Sequence, residues 1–201
     1  MPYEFTLDDD EQRELLRIAR TTVKEHLLSG RTPPGAPHKK SLVAPAAVFV
    51  SVHEGPALRG CIGTTQEASP IYKAVQEMAI AAATRDPRFR PVKLEELLQL
   101  RFEIAVLGPR TPMTSVADIK IGTHGLQVTS NAGPRPNRGL LLPKVAVEQG
   151  WDVETLLDKT CEKAGLPKDW WKAHQGDVEL FTAQTFDELT LKTGPFKPLS
   201  M

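Results

Sequence analysis

The chain has 201 residues, of which 40% are hydrophobic, enough to bury an ordinary core as one compact domain or two closely packed subdomains. Lysines plus arginines equal aspartates plus glutamates at 25 each, so no global field attracts a polyanion, and nucleic-acid binding is not expected. The N-terminal stretch lacks the features of a signal peptide, and no apolar run is long enough to span a bilayer. We therefore expect a soluble, cytoplasmic protein with no membrane contact.

The first predicted element is an amphipathic helix from Asp8 to Ser29. Thr6 and Asp9 have the spacing of a capping box, and Gly30 closes the helix. The Pro-rich segment from Gly30 to Pro45 shows no periodicity, so it is predicted to be a linker or a mobile loop.

A β-hairpin is predicted next. Ala46 to Val52 is rich in small and β-branched residues, Glu54-Gly55-Pro56 can turn the chain, and Leu58 to Ile62 can return as the partner strand. Cys61 then lies near the end of the second arm.

A second helix is predicted after Ser69, which can cap it, and Pro70, which suits the first helical position. Apolar residues from Ile71 to Ala82 recur at helical spacing and mark one continuous face. The helix is expected to stop before the loop from Arg85 to Val92, in which three arginines surround one aspartate.

Alternation and turn residues predict the rest of the secondary structure. The predicted elements are a helical stretch around Leu94 to Leu98, strands at Phe102 to Val106, Leu126 to Thr129, Gly139 to Leu142 and Val178 to Phe186, and a helix from an Asp152 cap to Gly165. Strands and helices are mixed without the regular alternation of a doubly wound sheet. We predict an α+β fold with a largely antiparallel sheet flanked by helices.

The two cysteines are too far apart in the sequence for a CxxC pair. Cys161 lies on the apolar stripe of its helix and is predicted to be buried. Cys61 follows Arg59 by two residues, and residues two apart in a strand project from the same face. A guanidinium beside a thiol favours the thiolate, which is the reactive form. In the alternative, Cys61 fills a small space and Arg59 is solvated, and spacing alone does not decide between them.

Other candidate side chains lie later in the chain. His124 is a candidate general base, with a turn residue whose ring is satisfied as the alternative. Arg88, Arg85 and Arg90 are candidates for binding a carboxylate or phosphate as a fork, with Asp86 able to hold one of them in place; in the alternative, an internal ion pair ties the loop to the helix end. Gly60 and Gly63 are typical of backbone that turns sharply or lets another group approach. Zinc-ligand clusters and nucleotide-binding glycine patterns are absent from the sequence, so no metal and no cofactor is predicted.

Several motifs, in this order, resemble those of the AMMECR protein family. They are LRGCIGT (Leu58 to Thr64), AAATRDPRFRPV (Ala81 to Val92), IGTHGL (Ile121 to Leu126), LLPKVAVEQGWD (Leu141 to Asp152) and CEKAGLPKDWW (Cys161 to Trp171). The matches extend from about Val48 to Glu188. The resemblance therefore implies a single AMMECR-type domain over residues 1–201, with residues 30–45 as a Pro-rich linker or loop.

The resemblance implies a site rather than an activity. LRGCIG, Leu58 to Gly63 here, is the signature of the family and is regarded as its functional site. Prokaryotic members are often encoded beside Memo-like proteins and radical SAM enzymes, which implies a shared pathway and a protein partner from either group. Together with the residue patterns, this gives Cys61 and His124 as candidate catalytic residues and, as candidate substrate-binding residues, Arg59, Gly60, Gly63, Thr64, Asp86 and Arg88.

Two functions of different classes remain open. In the first, Cys61 is the nucleophile of an enzyme that carries out covalent group transfer or hydrolysis on a small anionic substrate. In the second, the hairpin and the Asp86 to Phe89 loop form a non-catalytic binding or scaffold surface for a small anion or a protein partner, and Cys61 is present for its size.

Overall fold

The computed structural model describes residues 6–34, 37–132, 134 and 136–191, and the chain divides into two compact units. The larger unit holds the described residues up to Leu107 together with those from Gln184 onward, and the smaller unit is Gly108–Ala183. The helices are α1 (Asp9–Ser29), α2 (Ile71–Thr84), α3 (Pro143–Gln149) and α4 (Val153–Lys163). The strands are β1 (Val48–Glu54), β2 (Ala57–Thr64), β3 (Leu100–Leu107), β4 (Thr111–Pro112), β5 (Gly125–Ser130), β6 (Asn137–Leu141), β7 (Val178–Phe181) and β8 (Ala183–Asp187).

The strands form two four-stranded antiparallel sheets, which confirms the predicted α+β class. Among the described residues, no helix is long and apolar enough to cross a membrane. The single domain over residues 1–201 stays a prediction.

The sheet of the larger unit has the strand order β2-β1-β3-β8, and the predicted hairpin is confirmed as its β1-β2 pair. One face of this sheet, which we call the helix face, packs with α1 and α2 in a single core. Its buried side chains on β1 and β3 are Val48, Val50, Val52, Leu100, Phe102, Ile104 and Val106. Successive residues of a strand point to opposite faces. The other face, which we call the polar face, therefore carries Ser51, His53, Cys61, Arg101 and Glu103.

The helix α1 begins one residue later than predicted, and its capping box is formed by different residues. The backbone N–H of Glu11 donates to Asp8 Oδ1 over 2.8 Å, and the N–H of Asp8 donates to the Glu11 carboxylate over 2.8 Å. The predicted box of Thr6 and Asp9 is therefore wrong by two residues. Gly30 ends the helix as predicted, with a left-handed φ of 70°.

The start of α2 is satisfied by backbone rather than by a side chain. Pro70 occupies the N-cap position and no side-chain cap bond is made, so the predicted Ser69 cap is wrong. The N–H of Ile71 instead donates to the carbonyl of Ala44 over 2.9 Å. The end of the Pro-rich segment is thus bonded to the helix, and within it Lys40–Val43 forms a short 3₁₀ helix that the sequence did not predict.

The sheet of the smaller unit has the order β4-β7-β5-β6, with α4 packed on it. The predicted cap of α4 is confirmed, because Asp152 Oδ1 accepts from the N–H of Thr155 over 2.8 Å. The short helix α3 was not predicted, although Pro143 at its first turn and Gly150 at its end are ordinary helix-boundary signals.

The apolar run from Val178 to Phe186 was predicted to be one strand, and this is wrong. It forms β7, which pairs with β5 and β4, and then β8, which belongs to the other sheet. The two strands are separated only by Thr182. An apolar stretch without glycine or proline carries no signal for such a change of sheet.

Candidate functional site

Cys61 lies on β2 directly opposite Ser51 of β1. Its side chain is half-buried, and the Ser51 hydroxyl donates a hydrogen bond to its sulfur over 3.2 Å. Because Ser51 belongs to the polar face, the thiol lies on the side of the sheet that is turned away from α2. The sulfur is therefore not sealed in the apolar core.

A β-bulge interrupts β2 at Arg59, two residues before the cysteine. Val52 pairs with Gly60, but His53 pairs with Leu58, so Arg59 is the extra residue between them. The prediction that Arg59 and the thiol share one strand face assumed regular alternation. The bulge breaks the alternation of side chains at Arg59, so the strand pattern does not place Arg59 and Cys61 on one face.

The guanidinium of Arg59 is bonded to a neighbouring loop. It donates to the carbonyl of Arg90 over 2.6 Å and to the Glu96 carboxylate over 3.1 Å, and the residue is only 8% exposed. Bonds from the N–H of Lys93 and then from Arg59 hold the pKa of Glu96 below its usual range. This side chain therefore ties the hairpin to the loop, and the role of Arg59 as activator of Cys61 stays a prediction.

The cation beside Cys61 is instead Arg88, held by a buried carboxylate. Asp86 accepts the backbone N–H of Cys61 over 2.8 Å and two side-chain bonds from Arg88, over 2.7 and 3.0 Å. Arg88 also donates to the carbonyl of Cys61 over 3.2 Å. Both backbone polar groups of the cysteine, on an edge strand, are therefore held by this one ion pair.

The electrostatics of this group reflect the same contacts. The Arg88 side chain, followed by the N–H groups of Cys61 and Arg88, holds the pKa of Asp86 far below its usual range, although burial opposes the shift. Asp86 in turn raises the pKa of Arg88, and the charge of Cys61 adds to that effect. Asp86 is 4% exposed, whereas the Arg88 side chain is 57% exposed, so the pair presents its positive member to solvent.

A cleft of about 570 Å³ lies beside this ion pair. It is lined by Glu54, Arg59, Arg88, Phe89, Arg90, Lys93, Glu95 and Glu96. Cys61 is not among the lining residues, but Arg88 lines the cleft and is bonded to the backbone carbonyl of Cys61. Nη1 of Arg88 has no acceptor among the described residues, and Arg90 is exposed, so both can meet an anion. A larger groove of about 980 Å³, between α2 and the end of α1, is lined by Arg85 but not by Cys61, Asp86 or Arg88.

The glycines of the signature are explained by packing. A Cβ on Gly60 would lie 2.0 Å from the carbonyl oxygen of Ala82, so this glycine lets α2 approach the sheet. A Cβ on Gly63 would lie 2.2 Å from the ring of Phe49, on the polar face. Thr64 ends β2, and its hydroxyl accepts the N–H of Gln66 over 3.1 Å. Close approach is thus confirmed for both glycines, but by protein atoms, and ligand binding by these residues stays a prediction.

His124 and Cys161 belong to the smaller unit, whereas Cys61, Arg59, Asp86 and Arg88 belong to the larger one. The ring of His124 accepts the N–H of Lys120 over 3.2 Å through Nδ1, which fits the satisfied turn residue considered as the alternative. Its role as a base for Cys61 stays a prediction. Cys161 is 0% exposed, and burial raises the pKa of its thiol, as expected for a structural cysteine.

The sequence did not single out Ser51 or Glu96, which hold Cys61 and Arg59. Ser51 carries a usable signal, since it is the polar residue between the buried Val50 and Val52 of an alternating strand. Glu96 carries none, because its contact with Arg59 spans 37 positions of sequence. In the described part of the chain, no group of three or more histidine, cysteine, aspartate or glutamate side chains is arranged to hold a metal ion.

Comparison with known proteins agrees with the motifs. A protein of Methanothermobacter thermautotrophicus is 43% identical over 191 residues, covering 90% of this chain and 96% of the relative. Protein MK0488 of Methanopyrus kandleri is 39% identical over 197 residues, covering 94% and 92%. The crystal structure of uncharacterized protein PH0010 from Pyrococcus horikoshii superposes with a TM-score of 0.85 at 37% identity and covers 98% of both chains. The profile of the AMMECR1 family matches residues 16–186, and the chain therefore belongs to the AMMECR1 family.

Proposed function

We propose that the protein is a cysteine-dependent enzyme that carries out group transfer or hydrolysis on a small anionic substrate, with Cys61 as the nucleophile. The observation that carries this proposal is a pair of hydrogen bonds: Asp86 accepts the backbone N–H of Cys61, and Arg88 donates to its carbonyl. A nucleophile reacts well when its position is fixed before the substrate arrives. A guanidinium near a thiol also favours the thiolate, which attacks carbon.

The cationic side chains of the cleft support an anionic substrate. Arg59 is balanced by Glu96, and Lys93 lies 3.9 Å from Glu95, but Arg90 and one face of Arg88 remain for a ligand. A planar guanidinium binds a carboxylate or a phosphate with two parallel hydrogen bonds. Arg88 would therefore hold the anionic group while its electrophilic carbon lies toward Cys61. The family resemblance adds Memo-like and radical SAM proteins as expected pathway partners.

The test uses two alkylating probes that differ in charge. Iodoacetamide is neutral and iodoacetate carries a carboxylate, so the ratio of their rates at Cys61 reports the local field. We expect iodoacetamide to modify Cys61 faster at pH 7 than it modifies N-acetylcysteine. We also expect the rate ratio of iodoacetate to iodoacetamide to be higher for Cys61 than for N-acetylcysteine. Arg88→Gln should abolish the preference for iodoacetate, and the matched variant Arg88→Lys should keep most of it. A Cys61 that reacts no faster than the free thiol would remove the nucleophile.

One observation favours the second function, a non-catalytic binding or scaffold module that uses the same cleft. The sulfur is half-buried and already bonded to Ser51, and it does not line the cleft. Cys61→Ser separates the two functions, because it nearly keeps the volume and removes the strong nucleophile. Loss of turnover with retained binding supports the enzyme, whereas unchanged cellular function of Cys61→Ser supports the binding module.

A further inference from the structure

The polar face of the larger sheet brings a second set of reactive side chains next to Cys61. Ser51 of β1 pairs with Cys61 on one side and with Glu103 of β3 on the other. His53 follows Ser51 by two residues on the same strand and therefore projects from the same face. Thiol, hydroxyl, carboxylate and imidazole thus lie in one patch, although they come from three separate strands.

His53 is a buried imidazole without a hydrogen-bond partner in the described part of the chain. Its side chain is only 13% exposed, and both ring nitrogens are shielded from solvent with no acceptor or donor in reach. Nε2 lies 3.9 Å from the Glu103 carboxylate, which is too long for a hydrogen bond but close enough for attraction to an imidazolium. Buried polar groups are almost always satisfied, so an unpartnered ring points to a partner that the described residues do not supply, such as a water or a ligand group.

Resting on the proposed function, we propose that His53 is the acid–base partner of Cys61, with Glu103 as the carboxylate that stabilises its protonated form. Ser51, whose hydroxyl donates to the sulfur over 3.2 Å, precedes His53 by two residues on β1, and we place one water or one polar group of the substrate between the thiol and the ring. Among the described residues of the adjacent strands, the charged and titratable groups on the polar face are Glu103 and Arg101 on β3 and Cys61 on β2. Arg101 forms an ion pair with Asp187, and the Glu103 carboxylate lies 3.9 Å from Nε2 of the imidazole.

The proton balance of the proposed step is simple. The thiol proton of Cys61 passes through the bridging group to the imidazole, and the sulfur keeps the electron pair. The sulfur then forms a bond to the electrophilic carbon of the substrate, the bond from that carbon to the leaving group breaks, and the imidazolium returns the proton to the leaving group. A water or acceptor molecule, deprotonated by His53, then attacks the carbon and releases the thiolate, which recovers the proton. The assignment gives the enzyme a base within the same sheet as its nucleophile.

The first experiment measures the rate of iodoacetamide modification of Cys61 against pH, by peptide mass spectrometry. The wild-type profile is expected to show an additional inflection from His53, and His53→Gln should abolish it and lower the rate at pH 7 by at least about tenfold. Glu103→Gln should move the inflection to lower pH, because the imidazolium loses its counter-ion. His38→Gln, an exposed histidine of the Pro-rich segment, is the matched control and should leave the profile unchanged.

A second measurement uses the wild-type sequence, so its result does not depend on the folding of a variant. The ring protons of His53 are titrated by NMR in the wild-type protein before and after alkylation of Cys61. Coupled groups titrate together, so the midpoint of His53 should move by at least about half a pH unit. An unchanged midpoint, or a His53→Gln profile identical to that of wild type, overturns the assignment while Cys61 stays reactive. A Cys61 that is unreactive in the wild type overturns the proposed function itself.

Discussion

The two faces of the larger sheet are built from the same strands and differ in almost every other respect. The helix face carries Val50, Phe102 and Ile104, each fully buried against α1 and α2. The polar face carries Ser51, His53, Cys61 and Glu103, all partly or largely buried yet polar. Apolar side chains on the helix face pack without any need for direction, whereas each polar side chain needs a particular partner.

Burial therefore has two different functions in one sheet. On the helix face it provides the free energy of folding, and many substitutions of similar volume would serve. On the polar face it shields a small set of polar groups from water and strengthens the interactions among them. Substitutions on the first face should therefore change stability, and substitutions on the second should change reactivity.

The largest expected difference between the two faces comes from adding one methyl group to each. Gly60→Ala should destabilise the fold by about 4 kcal/mol or more, because its Cβ would meet the backbone of α2, which cannot rotate away. Gly63→Ala should lower the free energy of unfolding by about 1–2 kcal/mol, because the new Cβ meets the ring of Phe49, which can move. Urea unfolding measures both, and equal losses would contradict the difference between the faces.

Removal of a buried side chain from the helix face should have the next largest effect. Ile104→Ala leaves a cavity in the core and should lower the free energy of unfolding by about 3 kcal/mol. The iodoacetamide rate at Cys61 in the folded variant should stay within a factor of about two of wild type, because the residue lies on the opposite face. A large change in that rate would mean that the two faces are coupled.

The ion pair at the edge of the sheet should contribute to stability in a pH-dependent way. Asp86→Asn keeps the volume but loses charge and acceptor capacity, and should cost about 2 kcal/mol at pH 7. The pKa of Asp86 is depressed in the folded state, so its contribution is complete above the unfolded value of about 3.9 and is lost as the pH falls below it.

The pH dependence is measured as the difference in unfolding free energy between wild type and Asp86→Asn. That difference should narrow steadily as the pH falls from about 4 toward 2. Asp9→Asn, an exposed aspartate at the start of α1, serves as the control and should show no comparable trend. If the difference in unfolding free energy stays constant through this range, the Asp86 carboxylate does not titrate as its contacts require.

The smallest effect on stability is expected on the polar face. Ser51→Ala should change the free energy of unfolding by no more than about 1 kcal/mol. It removes the hydroxyl that donates to the sulfur, so the alkylation of Cys61 at pH 7 should become about fivefold slower. A variant that loses stability but keeps the rate would show that Ser51 acts in packing alone.

The sequence was sufficient for those parts of the fold that depend on local patterns. The hairpin around Gly55, the Gly30 end of α1 and the buried position of Cys161 follow from turn chemistry and periodicity. The α+β class follows from the mixture of the resulting elements. The change of sheet at Thr182 does not, because strand pairing depends on partners far away in the sequence.

The site was predicted only in part for the same reason. The motif identified Cys61, and the loop with Asp86 and Arg88 was singled out by its charge. The bulge at Arg59 was not visible, because an extra residue in one strand is defined only by its pairing with the other. The prediction therefore paired the cysteine with Arg59, whereas the guanidinium bonded to its backbone belongs to Arg88.

The most direct test of the central claim compares the two cysteines within one native protein. Iodoacetamide is added at pH 7, and the modification of Cys61 and Cys161 is followed in the same sample by mass spectrometry. We expect Cys61 to react at least about a hundredfold faster than Cys161, whose thiol is fully buried. Equal rates, or modification of Cys61 only after unfolding, would contradict the claim that the polar face presents a reactive thiol.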